Sequence, residues 1–144
     1  MNRDLEAHLD ELQEKIYDQT LQAYGPEVFK RWKEPLYMGR MNDCHSRARL
    51  TGSCGDSVEI YLKFEHGRII EASFFSDGCG PSVVCGSVAC VLAVGREIEE
   101  AASVLGENIL EKLPGLPEDK HHCAFLAAQT LQEAVQDFCS NKSL

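Results

Sequence analysis

Residues 57–95, "SVEIYLKFEHGRIIEASFFSDGCGPSVVCGSVACVLAVG", decide the fold because two periodicities meet inside them. From Ser57 to Glu65 apolar and polar residues alternate, and Val58, Ile60, Leu62 and Phe64 share one face of a strand. His66-Gly67 is a tight-turn signal. The next run, Arg68 to Ser76, alternates again through Ile70, Ala72 and Phe74, so a hairpin is expected. After Pro81 the alternation stops. Val83, Val84, Val88, Val91 and Leu92 stand among small residues up to Gly95, which reads as a helix apolar on nearly all sides and therefore buried. Pro81 suits its first turn.

Outward from this stretch, Ser46–Thr51 alternates like a preceding strand. The expectation is an α+β fold: a three-stranded antiparallel meander with helices packed against it. Leu5, Leu9, Leu12, Ile16 and Ala23 recur at helical spacing over residues 4–24, an extra N-terminal helix closed by Gly25-Pro26. A short helical turn over Glu27–Lys33 would bury Val28, Phe29 and Trp32. Pro35 and Gly39 then mark an irregular crossing segment. "EIEEAASV" and "ENILEKLPGLP" read as two short helices about Gly106. "HHCAFLAAQTLQEAVQDFC" reads as a strong final helix, with Ala124, Ala127, Leu131, Val135 and Phe138 on its inner face. The chain shows no internal repeat. It divides into an N-terminal helical segment, 1–34, and the rest, 35–144, within one globular unit.

The 144 residues, 44% hydrophobic and 26% charged, fit one globular domain. No apolar run approaches the ~20 residues of a membrane span. The formal net charge of -9 disfavours a nucleic-acid partner, since phosphate contacts need clustered cations. Seven cysteines without a secretory leader suggest a reducing, cytoplasmic setting, and metal or thiol chemistry rather than disulfides.

The placement of the thiols narrows that chemistry. Cys54 lies on the turn between the first two strands, Cys79 between the third strand and a helix start, and Cys123 in the first turn of the last helix. Glycines flank Cys54 and Cys79, which lets backbone and ligand approach closely. A helix N-terminus favours the thiolate, the form that binds metal and attacks sulfur. Asp56 and His122 are the candidate fourth ligands. Three thiolates with one nitrogen or oxygen suit zinc, or iron in an iron–sulfur cluster. A hard oxygen from Asp56 would keep the fourth position exchangeable. Taken singly, Asp56 could be a turn residue and His122 a polar helix start; His121 is expected to face solvent. Cys85 and Cys90 fall within the apolar helix and read as core. Cys139 sits at the C-terminus. Cys44, beside His45, is an auxiliary-ligand candidate.

At these residues the sequence resembles the IscU and NifU N-terminal-type scaffolds for iron–sulfur cluster assembly. The matching motifs are Cys54-Gly55-Asp56, Gly78-Cys79-Gly80 and Lys120-His121-His122-Cys123, with successive cysteines 25 and 44 positions apart. The resemblance spans roughly residues 35 to 139. It implies a three-stranded sheet with packed helices, and a site where Cys54, Cys79 and Cys123, with Asp56 and His122, hold zinc or a nascent 2Fe–2S cluster. It implies a cysteine desulfurase as sulfur donor, Cys123 as the persulfide acceptor, Lys120 as a neighbouring charge, an iron donor, and apo iron–sulfur proteins as acceptors. Such a protein is a scaffold rather than a turnover enzyme. The alternative is a zinc-dependent sulfur-transfer protein of the SufU kind, although the longer insertion of that kind between the second and third cysteines is missing. Two family segments depart here. Asn-Pro-Arg-Asn-x-Gly stands as Glu34-Pro35-Leu36-Tyr37-Met38-Gly39, and the chaperone-recognition stretch Leu-Pro-Pro-Val-Lys stands as Leu116-Pro117-Glu118-Asp119-Lys120. A dedicated chaperone is therefore not expected.

Overall fold

The computed structural model describes residues 2–53, 55–78 and 80–142. Two N-terminal helices, α1 (Asn2–Tyr24) and α2 (Pro26–Lys33), precede the strands β1 (Ser46–Thr51), β2 (Ser57–Glu65) and β3 (Arg68–Ser76). Four helices follow: α3 (Gly80–Ala93), α4 (Ile98–Ala102), α5 (Gly106–Glu111) and α6 (His121–Lys142), the last entered through a 3-10 turn at Glu118–Lys120. The strands form one antiparallel sheet in the order β1-β2-β3, the expected meander. Both short C-terminal helices are present, and Gly106 begins the second of them.

The alternation in β2 sorts its side chains as expected. Val58, Ile60, Leu62 and Phe64 are buried, three of them with no exposed surface. Each such side chain contributes roughly 1.5–3 kcal/mol through area removed from water. The apolar helix α3 lies against β3, and α6 lies across β1 and β2. Phe138 of α6 stacks on Phe64 with ring centroids 3.8 Å apart. The inner face of α6 otherwise uses alanines with Leu131 and Val135, so the helix approaches the sheet closely.

The opposite face of the sheet is partly solvated and carries ion pairs. Arg40 bonds the Glu59 carboxylate at 3.2 Å, and its guanidinium lies 4.0 Å over the Phe75 ring. That hydrogen bond, with a further one from the Tyr61 hydroxyl, holds the Glu59 carboxyl below the usual carboxylate range.

The far end of the hairpin closes on His66 and Gly67, both with positive φ (53° and 77°), as a two-residue turn that follows the strand twist requires. One expectation fails beside it. Ile70 is exposed and Ile69 is fully buried, because the pairing slips between Lys63 and Phe64: Phe64 faces Ile69, and Lys63 faces Glu71. The bulge leaves Ile70 without a cross-strand partner and reverses the side chains before it.

The segment before β1 is pinned rather than loose. Phe74 N–H donates to Tyr37 O (3.0 Å), Gly39 N–H donates to Phe74 O (2.7 Å), and Ser87 Oγ donates to Leu36 O (2.9 Å). Residues 36–39 thus cover part of the outer edge of β3. The N-terminal helix forms as expected, but Leu5, Leu9, Leu12 and Ile16 stay exposed. Its C-terminal half is tied to α2 through Tyr17, Phe29 and Trp32. Among the described residues no helix is long and apolar enough to cross a membrane.

Candidate functional site

At the end of the sheet opposite the His66-Gly67 turn, three chain segments meet. The first is the β1–β2 turn. Gly52 N–H donates to Asp56 O (2.9 Å), Gly55 N–H donates to Gly52 O (3.0 Å), and Gly55 takes φ +92°, where a side chain would be strained. The second leaves β3. Asp77 Oδ1 accepts from Ser57 N–H (3.1 Å), Ser76 Oγ donates to Ser57 O (2.9 Å), and Gly78 N–H donates to Ser76 Oγ (3.1 Å). Short hydroxyl and carboxylate side chains thus bind the strand ends together. The third is the first turn of α6, which carries His122 and Cys123.

Their contact is close. A Cβ placed on Gly78 would stand 2.6 Å from Asp56 Cγ, so only glycine lets the Asp56 side chain lie there. Ser82, in the first turn of α3, donates from Oγ to Asp56 Oδ2 at 2.9 Å. Ser82 Oγ is also 3.6 Å from Cys123 Sγ, which is itself 3.6 Å from His122 Nε2. The chain Asp56–Ser82–Cys123–His122 therefore joins the strand turn, the start of α3 and the start of α6. Ser82 and Cys123 are fully buried, whereas His122 is exposed.

Cys54 and Cys79 lie outside the described residues. Gly55 and Asp56, which follow the first in sequence, and Gly78, which precedes the second, are the residues just placed here. Among the described residues no group of three or more His, Cys, Asp and Glu side chains stands ready for a metal ion. The set expected from the sequence includes those two further thiols. As a donor set, thiolates with one carboxylate or imidazole match zinc and iron in chemistry.

Other expectations separate cleanly. Lys120 ends the 3-10 turn and lines a cleft with Gly80 and Pro81, beside the start of α3. His121 does not face solvent freely: its Nε2 is 3.0 Å from Leu116 O, and the ring is half-buried. Cys85 and Cys90 are core residues with no exposed surface, and burial pushes the Cys90 thiol up, which keeps it protonated. Cys139 is exposed. The auxiliary role for Cys44 does not hold. Its neighbour His45 accepts Phe64 N–H at Nδ1 (2.9 Å) and stacks on Phe138. About 22 Å of helix separates Phe138 from Cys123, at 1.5 Å per residue.

Two contributors were not identified from the sequence. Ser82 was one, although it stands three residues after Cys79 in sequence, in the first turn of a helix. The other was the requirement for Gly78 opposite Asp56, which depends on a tertiary approach and leaves no local pattern.

Comparison with known proteins agrees with this architecture. Residues 6–143 match the family model of the NifU-like N-terminal domain. The chain is 34% identical over 116 residues to the iron–sulfur cluster assembly scaffold protein IscU 1 of Archaeoglobus fulgidus, covering 80% of this chain and 76% of that one. It is 32% identical over 127 residues to the scaffold protein IscU of Azotobacter vinelandii, covering 85% and 98%. Among solved structures, a NifU-like N-terminal protein from Brucella abortus superposes with a TM-score of 0.69 at 14% identity, over 83% of this chain and 96% of that one. An assembly scaffold protein for the SUF system from Fervidobacterium islandicum gives 0.67 at 21% identity, over 81% and 98%. At those identities the two structures speak to the fold.

Proposed function

This chain belongs to the NifU-like N-terminal domain family, and from that premise we propose that it is a scaffold on which an iron–sulfur cluster is assembled and then passed to acceptor proteins. The cluster is cargo, of the 2Fe–2S kind. Its ligands are Cys54, Cys79 and Cys123, with Asp56 or His122 in the fourth position. Zinc, which suits the same donors, is the resting or alternative occupant. The scaffold unit is residues 35–144, and residues 1–34 are a helical extension of it.

The observation that supports this reading most is the contact among Asp56, Ser82 and Cys123. It brings the Cys-Gly-Asp turn, the Gly-Cys-Gly segment and the His-Cys helix start to one place. Sulfur would come from the persulfide of a cysteine desulfurase. The Cys123 thiolate attacks the outer sulfur, the donor's S–S bond breaks, and the donor thiolate leaves with the electron pair. Release of sulfide from the Cys123 persulfide then takes two electrons from a thiol or a protein reductant, and ferrous iron is added. Because Cys123 is fully buried, its turn must open before it can accept sulfur. Ser82 is suited to orienting Asp56, and an oxygen ligand that is harder than thiolate favours later release of the cargo.

The test is anaerobic reconstitution with ferrous iron, cysteine and a desulfurase. Wild-type protein should develop visible sulfide-to-iron charge-transfer absorption, and Cys54→Ala, Cys79→Ala and Cys123→Ala should each lose most of it. An unchanged spectrum in Cys79→Ala would refute the site.

A further inference from the structure

The chain has a single tryptophan, Trp32, and it lies on Gly80, the first residue of α3 and the one that follows Cys79 in sequence. A Cβ built on Gly80 would stand 3.0 Å from Trp32 Cδ1 and 3.2 Å from Nε1, so the edge of the indole rests against the backbone at the start of α3. Two residues on is Ser82, whose hydroxyl links Asp56 and Cys123. The indole is itself held from behind. Tyr17 of α1 meets it edge-on with ring centroids 5.7 Å apart, and Phe29 of α2 lies at 6.1 Å. Beside this contact is a cleft of about 260 Å³ lined by Tyr24, Val28 and Trp32 on one wall and by Pro81, Val84 and Lys120 on the other. Trp32 packs on the edge of the core and lines this cleft with part of its surface. Its aromatic neighbours, Tyr17 and Phe29, both come from the two N-terminal helices.

We propose that Trp32 is a positioning residue for the metal- and cluster-binding site, acting through Gly80 on the adjoining ligand Cys79, and that the α1–α2 pair is coupled to the site through it. The inference rests on the scaffold reading and adds to it. The N-terminal helices, which supply no ligand, determine how well the ligands hold. An indole edge is suited to this: it is large and rigid, and the glycine opposite it has no Cβ to crowd the contact. Loss of the indole leaves the backbone after Cys79 unsupported on that side. Residues outside the ligand shell that orient ligands commonly alter metal affinity by about 10–100-fold.

The test uses the apo full-length chain titrated with cobalt(II) and zinc in competition with a chromophoric chelator. Trp32→Ala should bind both ions about tenfold more weakly and show altered cobalt ligand-field bands, which report ligand geometry rather than stability. Trp32→Phe should recover most of the affinity, and Tyr17→Ala should show a weaker form of the same defect. In wild type, zinc binding should shift or quench Trp32 emission. Wild-type affinity and band shape in Trp32→Ala would overturn the proposal, as would unchanged Trp32 emission at zinc saturation. If Trp32→Ala does not fold, Trp32→Phe, Tyr17→Ala and the emission measurement decide. Cys79→Ala separates this inference from the reading beneath it. If Cys79→Ala binds cobalt like wild type, the site assignment itself fails. If Cys79→Ala loses binding while Trp32→Ala keeps it, only the role of Trp32 fails.

Discussion

The two ends of the sheet use the same three strands for different purposes. At the His66-Gly67 end the chain turns in two residues, Arg68 pairs with Glu97 at 3.0 Å, and a bulge turns Ile69 into the core. At the other end the strand termini are bound by Thr51, Ser57, Ser76 and Asp77, glycines thin the backbone, and a buried hydroxyl bridges a carboxylate and a thiol. The difference teaches where side-chain volume is placed. Large apolar groups fill the middle and the far end, while small polar groups and glycines occupy the end proposed to hold the cluster.

If that contrast is right, substitutions between the two ends should cost stability, and substitutions at the site end should chiefly change metal chemistry. The largest effect is expected in the shared core. Phe74 is fully buried against α3, where it packs on Gly86. Phe74→Ala should therefore lower unfolding stability by about 3–5 kcal/mol in urea titrations. A loss under about 1 kcal/mol would mean that the centre is not the anchor claimed here. Next comes the carboxylate. Asp56→Ala should prolong the lifetime of a reconstituted cluster exposed to an apo acceptor by about tenfold, followed by absorbance decay, with the fold intact. A shortened lifetime would contradict an exchangeable oxygen ligand.

Gly78→Ala should produce a smaller change of the same kind. Its Cβ would displace the Asp56 side chain, so cluster lifetime should move toward that of Asp56→Ala, and the two substitutions combined should add little. Additive effects would show that Gly78 acts elsewhere. The smallest effect concerns the solvated face of the sheet. The Glu59 carboxyl is held low by its hydrogen bonds from Arg40 and Tyr61. Its contribution to stability is therefore present above the ordinary carboxylate range and is lost as pH falls through the lowered folded value. Glu59→Gln should flatten the acid side of the stability profile slightly and leave metal binding unchanged. A shift in zinc affinity would break the separation between the two regions.

What the sequence made legible follows the range of the interactions. The strands, the His66-Gly67 turn and the buried α3 were readable because alternation, turn residues and helical period are local. The position of Cys123 in the first turn of α6 was readable for the same reason. Ile70 was misplaced because a bulge is decided by pairing with the neighbouring strand, which no single-strand pattern reports. His121 was misjudged because its acceptor, Leu116 O, belongs to a preceding turn whose path was unknown. The stripe Leu5–Ile16 correctly signalled a helix, but periodicity names a face and not what covers it. Ser82 and Gly78 escaped because their importance arises only where separate segments touch.

The central claim is that Cys54, Cys79 and Cys123 converge on one ion. X-ray absorption at the zinc edge tests it most directly, on zinc-loaded protein carrying Cys44→Ser and Cys139→Ser to remove the two non-core bystanders. The account predicts a shell of three sulfurs at about 2.3 Å with one nitrogen or oxygen near 2.0 Å, falling to two sulfurs in Cys79→Ala. A shell with one sulfur or none, or one unaltered by Cys79→Ala, would contradict it.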